Sequence, residues 1–436
     1  MRQNTTPRKH LLVVASVWPH VNGSFEAANV VTHSILSGLV AADVFHISFC
    51  YVNSCAAIIP KQAEPELGQL RMSGVTFLEP LILTKPSSLI RRPFSFIKAL
   101  LFKPESILFG YGAGNSLSKR ASGDIDAVLT IWSELGLNAA CTVGKKRFAY
   151  HGNPDHKVLS AQYEVMRLAG IKPHAIKAIL NRLRQNILIK LVERGHLRIL
   201  RRYTFVSNVA ANDASYYSLK GINSFYLQNM WPMLPPDNWE TLRDQLESIN
   251  SGKIIGNVGN LSATGNSLGF IALCKEILPK LEQLLPSKSY RVHIFGGREP
   301  KPFLKPLLTN PSILIRGFVD DLNIEILSAP VFLISNNHHE FKVGHTRFLH
   351  AWSTGACVVA FSDCRDAMPE IEHGYNALLG DTAQEVAQLV AQALSDRHLR
   401  RRIGRGGIET LQMKFNPSSV TNTLINNLLI PELNIV

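Results

Sequence analysis

A chain of 436 residues exceeds the size at which one hydrophobic core stops growing, so two domains of about 200 residues each are expected. Hydrophobic residues make up 46% of the chain and charged residues 18%, which excludes an intrinsically disordered protein. The 46 Lys and Arg against 33 Asp and Glu give a net charge of +13, which favours phosphate-bearing ligands or anionic lipid surfaces; with no zinc-finger spacing, RNP-like strand or basic-zipper heptads, nucleic acid is not an expected partner.

Residues 1–10 are basic and residues 11–18 apolar, which mimics a signal peptide. The run is too short to span a bilayer and leaves through Pro19-His20-Val21-Asn22-Gly23, so it reads as a buried strand. Residues 27–39 then carry apolar side chains at helical spacing, opening a βα unit. Strands are expected at 44–51, 127–132, 147–150 and 203–207, alternating with helices, as in a parallel sheet covered on both faces. Within this half, the strand at 147–150 runs into His151-Gly152-Asn153-Pro154-Asp155, a turn-rich loop of the kind that carries ligand-binding residues at a strand's carboxyl end. Residues 176–203 form a basic amphipathic helix with Ile176, Leu180, Leu183, Ile187 and Leu191 on one face. The stripe is expected to pack into the N-terminal domain, with an anionic membrane surface as the alternative.

The proline-dense stretch 229–237 breaks both periodicities and marks a linker. Behind it a second series begins, with strands expected at 253–258, 291–295, 312–316, 331–335, 357–361 and 377–379 and helices at 268–285 and 385–394. The organisation is an N-terminal domain over 1–228, a linker over 229–240, a C-terminal domain over 241–415, and a helix from Pro417 within 416–436 that returns to the N-terminal domain. Two doubly wound α/β sheets facing a central cleft follow, with ligand outside the strand ends.

The densest chemistry lies between 338 and 360. A helix is expected over 344–353, with Lys342, His345 and Arg347 crowding its N-terminus, where the macrodipole disfavours cations and the exposed amides favour an anion. A diphosphate fits: Gly344 permits close backbone approach, Thr346 offers a hydroxyl, and Arg347 can pair with two phosphate oxygens. A solvated basic helix end is the bland alternative. His345 and His350 are five apart, off the spacing that aligns two ligands on a helix face, and there is no H-E-x-x-H, so no metal site is expected. The six cysteines lack a C-x-x-C pair, which fits a reducing cytoplasm.

Residues 256–394 resemble the donor half of the large retaining glycosyltransferase family with the GT-B fold. The matching run is Ala351-Trp352-Ser353-Thr354-Gly355-Ala356-Cys357-Val358-Val359, followed by Pro369-Glu370-Ile371 and Asn376-Ala377-Leu378-Leu379. Asn22-Gly23 resembles the family's acceptor-side glycine loop, and Tyr150-His151-Gly152 its donor-contacting histidine. The resemblance implies a nucleoside-diphosphate sugar donor, a glycan or lipid-linked acceptor, retention of configuration and no metal cofactor. It places His151, Lys342 and Arg347 in catalytic roles, and Asn260, Arg298, Gly344, His345, Thr346, His350 and Glu370 on the donor. Lys342 and His350 stand where the family carries its two glutamates, and Gly259-Asn260-Leu261 and Gly265-Asn266 stand where it carries an arginine and a lysine. The countercharge then falls to Arg347, with Arg298 or Arg316 at strand ends. The implied place is the cytoplasm or the inner face of a membrane; the rival readings are a non-catalytic binding subunit and a nucleotide-sugar epimerase or hydrolase.

Overall fold

The computed structural model describes residues 8–21, 27–56, 58–83, 101–121, 123–168, 175–286, 288–297, 300–336, 338–340 and 345–429. The chain divides into two compact units: Met1–His156, Arg182–Pro232 and Pro417–Val436 make the first, Lys157–Asn181 and Met233–Asn416 the second.

The first unit is built on β1 (Lys9–Ala15), β2 (Phe45–Asn53), β3 (Val75–Phe77), β4 (Leu81–Ile82), β5 (Ala127–Ile131), β6 (Lys146–His151), β7 (Phe205–Asn208) and β8 (Ser224–Tyr226). Their order is β3-β2-β1-β5-β6-β7-β8, with β4 beside β2, and every pairing is parallel. The apolar run of β1 is explained by burial on both faces: Leu11 and Val13 enter one core cluster, Leu12 and Val14 another. The strands that sequence reasoning missed, β3, β4 and β8, are two or three residues long and offer no periodicity to read.

The helix Ala27–Ala42 covers one face, burying Val31, Ile35, Leu36 and Leu39. Against it lies the helix Pro417–Leu429, which adds Val420, Leu424 and Ile425 to the same core. Gly38 makes this approach possible, because a Cβ there would stand 2.6 Å from Thr421 Cγ2.

Helix Ala175–Leu200 corrects the expected core stripe. Leu191, Leu197, Ile199 and Leu200 are buried, but Leu180 and Leu183 are 60% and 57% exposed beside the exposed Arg182 and Arg184. Among the described side chains the stripe packs only over its second half; Ile176 lies outside them. Residues 157–181, expected in the N-terminal domain, belong to the second unit, where Ala161 and Val165 pack on Leu268 and Phe303.

The second unit holds β9 (Lys253–Val258), β10 (Arg291–Phe295), β11 (Ile313–Gly317), β12 (Val331–Ile334), β13 (Val358–Phe361) and β14 (Leu378–Gly380), all parallel in the order β11-β10-β9-β12-β13-β14. The helix expected over 268–285 runs from Thr264 to Leu284 through a π-turn at Leu273–Ile277. Pro279 lacks an N–H and crowds the preceding turn, which the widened spiral accommodates. In both units the strand order reverses beside the first strand, between β1 and β5 and between β9 and β12, the place where open α/β sheets bind ligands.

Filling the space at Gly38 tests the helical clasp. Gly38→Leu is expected to destabilise the first unit by about 1–3 kcal/mol through overpacking and to speed proteolysis within residues 417–429. An unchanged urea midpoint and cleavage rate would remove Thr421 from its place on Gly38.

Candidate functional site

At the switch point of the second unit, β9 ends in a turn at Gly259 and Asn260. Gly259 has φ +103°, and its carbonyl passes so close to Gly296 that a Cβ there would stand 2.3 Å away, so the loops after β9 and β10 touch through backbone alone. Asn260 shapes the turn: its Oδ1 accepts from Ser262 N at 2.8 Å, and its carbonyl accepts from Asn266 Nδ2 at 3.0 Å. The helix Thr264–Ala272 that follows has Ala263 as its cap, with no side chain on its first amides, so donors are left for an anion.

On the other side of the switch point, β12 ends in Ser335 and Asn336. Ser335 Oγ donates to Gly269 O at 2.7 Å, tying this end to the first helix. Helix His345–Trp352 begins nearby in sequence, and Arg347 in its first turn donates to Asn336 Oδ1 at 2.5 Å. Among the described residues that amide oxygen is the only hydrogen-bond partner of the guanidinium, and no carboxylate faces it. Burial pulls Arg347 down to about 10, which leaves it charged at neutral pH in a place where charge is costly. Sequence reasoning missed Asn336; its position directly after a fully buried strand was the available signal.

The other expected residues fall around this centre. His345 and Thr346 are half-buried, and burial pulls the imidazoles of His345 and His350 to about 4, so both are neutral at pH 7. His350 shares a 2.8 Å hydrogen bond with Asn323 Oδ1. Glu370, also half-buried, sits on a loop organised by Asn376, whose Nδ2 donates to Glu370 O at 2.8 Å and whose Oδ1 accepts from Glu372 N at 2.8 Å. Arg316, a candidate for the countercharge, pairs with Glu325 at 3.4 Å on the surface. Asn22, Gly23, Arg298, Lys342 and Gly344 lie outside the described residues.

The helix end is held from below. Trp352 Nε1 donates to Asn376 O at 2.9 Å, and Gly355 turns the chain at φ +64° with no room for a Cβ against Trp239. Arg243, fully buried, donates to Ala329 O at 2.6 Å and Thr354 O at 3.3 Å and pairs with Glu247 at 2.9 Å. Thus one guanidinium joins the turn after this helix to the turn before β12.

In the first unit His151 ends β6, 2% exposed, with both ring nitrogens engaged: Nδ1 lies 3.0 Å from Glu134 Oε1 and Nε2 3.1 Å from Tyr217 OH. The expected donor-contacting histidine is therefore committed to a buried network. His196 stacks on it at 5.0 Å, and Asp155 stands 3.9 Å from His196 Nδ1. Burial pulls His196 to about 4 and, with the neighbouring Glu134, pushes Asp155 well above the usual carboxylate range.

No protein-family model matches the sequence, and no curated protein matches it. Solved structures do match in fold. Sucrose-phosphate synthase from Thermosynechococcus elongatus aligns with a TM-score of 0.61 at 14% identity, over 96% of this chain and 98% of that one. HepE from Anabaena in complex with UDP and glucose aligns at 0.57 and 13% identity, over 97% and 99%. WaaG, a glycosyltransferase involved in lipopolysaccharide biosynthesis, aligns at 0.55 and 12% identity, over 96% and 100%. The fold is the GT-B fold of these glycosyltransferases, two parallel-sheet α/β halves.

Removing the buried guanidinium tests its role under the helix. Arg243→Met is expected to destabilise the second unit by about 3–5 kcal/mol, since the buried carbonyls of Ile326, Ala329 and Thr354 lose their donor and Glu247 keeps only Arg400 and Arg401, whereas Arg405→Ala, which breaks the exposed pair with Glu240, leaves the denaturation midpoint unchanged. Equal midpoints for the two variants would mean that Arg243 carries no such load.

Proposed function

We propose that the chain is a glycosyltransferase that moves a sugar from a nucleoside-diphosphate donor to a hydroxyl of a glycan or lipid-linked acceptor, with retention. The observation that carries this reading is Arg347: a charged guanidinium, burdened by burial, at the start of a helix beside a switch point and facing one amide oxygen. A diphosphate supplies the absent negative charge, and the bare first turn of Thr264–Ala272 supplies further donors to it. The GT-B structures it resembles in fold include HepE with UDP bound, which supports a nucleotide at the corresponding half.

In this reading the leaving diphosphate gains charge as the glycosidic bond breaks, and Arg347, Thr346 and the helix amides stabilise it without a metal. The neutral His350 imidazole hydrogen-bonds a ribose hydroxyl, replacing its present contact with Asn323. Lys342, Gly344, Arg298 and Glu370 complete the donor side, and Asn22 and Gly23 the acceptor side. His151 acts at one remove, holding the end of β6 in shape through Glu134 and Tyr217. No helix among the described residues is long and apolar enough to cross a membrane. The exposed Leu180 and Leu183 beside Arg182 and Arg184 suit contact with an anionic membrane face, where a lipid-linked acceptor is found.

Calorimetry with UDP, GDP and ADP tests the donor site. Arg347→Ala is expected to weaken diphosphate binding by about 1.5–3 kcal/mol, the range for a charged hydrogen bond, and His350→Ala by less. Product analysis with sugar nucleotides then separates a transferase from a binding subunit. Wild-type affinity in Arg347→Ala would move the phosphate site elsewhere.

A further inference from the structure

Four side chains meet at the carboxyl end of the first sheet although the chain scatters them. Glu134 opens the helix after β5, His151 ends β6, Asp155 opens the next helix, and His196 lies on Ala175–Leu200. Glu134 Oε1 is 3.0 Å from His151 Nδ1, Glu134 Oε2 is 3.6 Å from His196 Nδ1, and His196 Nδ1 is 3.9 Å from Asp155 Oδ2. One ligand atom from each of Glu134, His151 and His196 lies within 4.8 Å of the others.

These polar groups satisfy one another only in part: Glu134 is tied to His151 and Asp155, but His196 is left over. His196 is 1% exposed, and neither of its ring nitrogens has a hydrogen-bond partner; Glu134 Oε2 has none either. A buried imidazole with no hydrogen bond, set against two carboxylates, is costly unless a cation joins them. The backbone also strains to present the set: Trp132, two residues before Glu134, has φ +43°, a conformation a tryptophan rarely adopts.

We propose that Glu134, His151 and His196 form a binding site for one divalent transition-metal ion, with Asp155 beside it and zinc the best match. Two imidazoles and one carboxylate are a zinc donor set that leaves the fourth position to water, and their 3.0 and 3.6 Å separations are close to the roughly 3.3 Å between donors of a tetrahedral ion. His151 Nε2 faces Tyr217 OH at 3.1 Å, the outer contact that fixes the ring of a ligating histidine. Glu134 and Asp155 keep 28% and 29% of their side chains exposed, which gives an ion a way in. The ion would staple β5, β6 and both helices at the end of the sheet where ligands bind. The other such cluster among the described residues, Glu164 with His338 and His339, is weaker: Glu164 and His338 already share a 2.7 Å hydrogen bond, and His339 is exposed.

The test uses the full chain, stripped with chelator and titrated with Co2+ and then Zn2+. The wild type should take up one equivalent of Co2+ with the visible absorption of a four-coordinate site, release it to Zn2+, and gain about 5 °C in Tm at a hundredfold excess of Zn2+ over Kd. Both Glu134→Gln and His196→Asn should lose that uptake by at least tenfold in affinity while keeping the far-UV dichroism of the wild type, and His338→Asn should retain it. The proposal is overturned if the wild type takes up no Co2+, if uptake survives in either cluster variant that keeps its fold, or if it is lost with His338→Asn instead.

Discussion

The second unit depends on a buried positive charge. Arg243 has no exposure, and burial pulls its guanidinium down to about 10 against the opposing pull of Glu247. Its donors reach the carbonyls of Ile326, Ala329 and Thr354, which end one helix, precede β12 and follow another helix. Around it, Arg400 donates to Glu247 at 2.9 Å and Arg401 to Asp244 at 2.9 Å, so helix Arg397–Lys414 is locked to helix Trp239–Ile249 by matched forks rather than by apolar contact. A wholly apolar seam of the same size would be no less stable, but it would not specify where each carbonyl must lie.

That specification reaches the candidate donor site through small residues. Gly407 lies so close to Trp352 that a Cβ would stand 2.3 Å from its indole, and Gly404 meets the Gly355 carbonyl at the same separation. Helix His345–Trp352 is thus wedged by its last residue, while its first turn carries Arg347 toward Asn336. A rigid base under a thinly partnered tip suits the anion site proposed there, which would accept its ligand without rearranging.

Much of the fold was legible because parallel strands buried on both faces announce themselves as apolar runs: 253–258, 291–295 and 331–335 all became strands. The edge strands were not legible, since two or three residues carry no period. The helix Pro417–Leu429 was visible in the Asn-Pro start and in the spacing of Val420 and Leu424. Helix Ala175–Leu200 misled, because periodicity reports which face is apolar but not how far along the helix its partner extends. In the site, Arg347 was legible as a cation misplaced on a helix dipole. The grouping of Glu134, His151, Asp155 and His196 was not, since only the crossing of four elements brings them within reach.

The path of the chain has its own consequence. It passes between units after His156, Asn181, Pro232 and Asn416, and the first unit takes core residues Val420, Leu424 and Ile425 from a segment that follows the whole second unit. On the ribosome, therefore, the sheet that is made first is the one that must wait longest for its cover. Until residues 417–429 have been made, the apolar flank of Ala27–Ala42 stands open to chaperones and to other chains. The two units are thus a single job in time, and cutting the gene at the proline-rich junction near residue 232 would yield an N-terminal piece lacking its own lid.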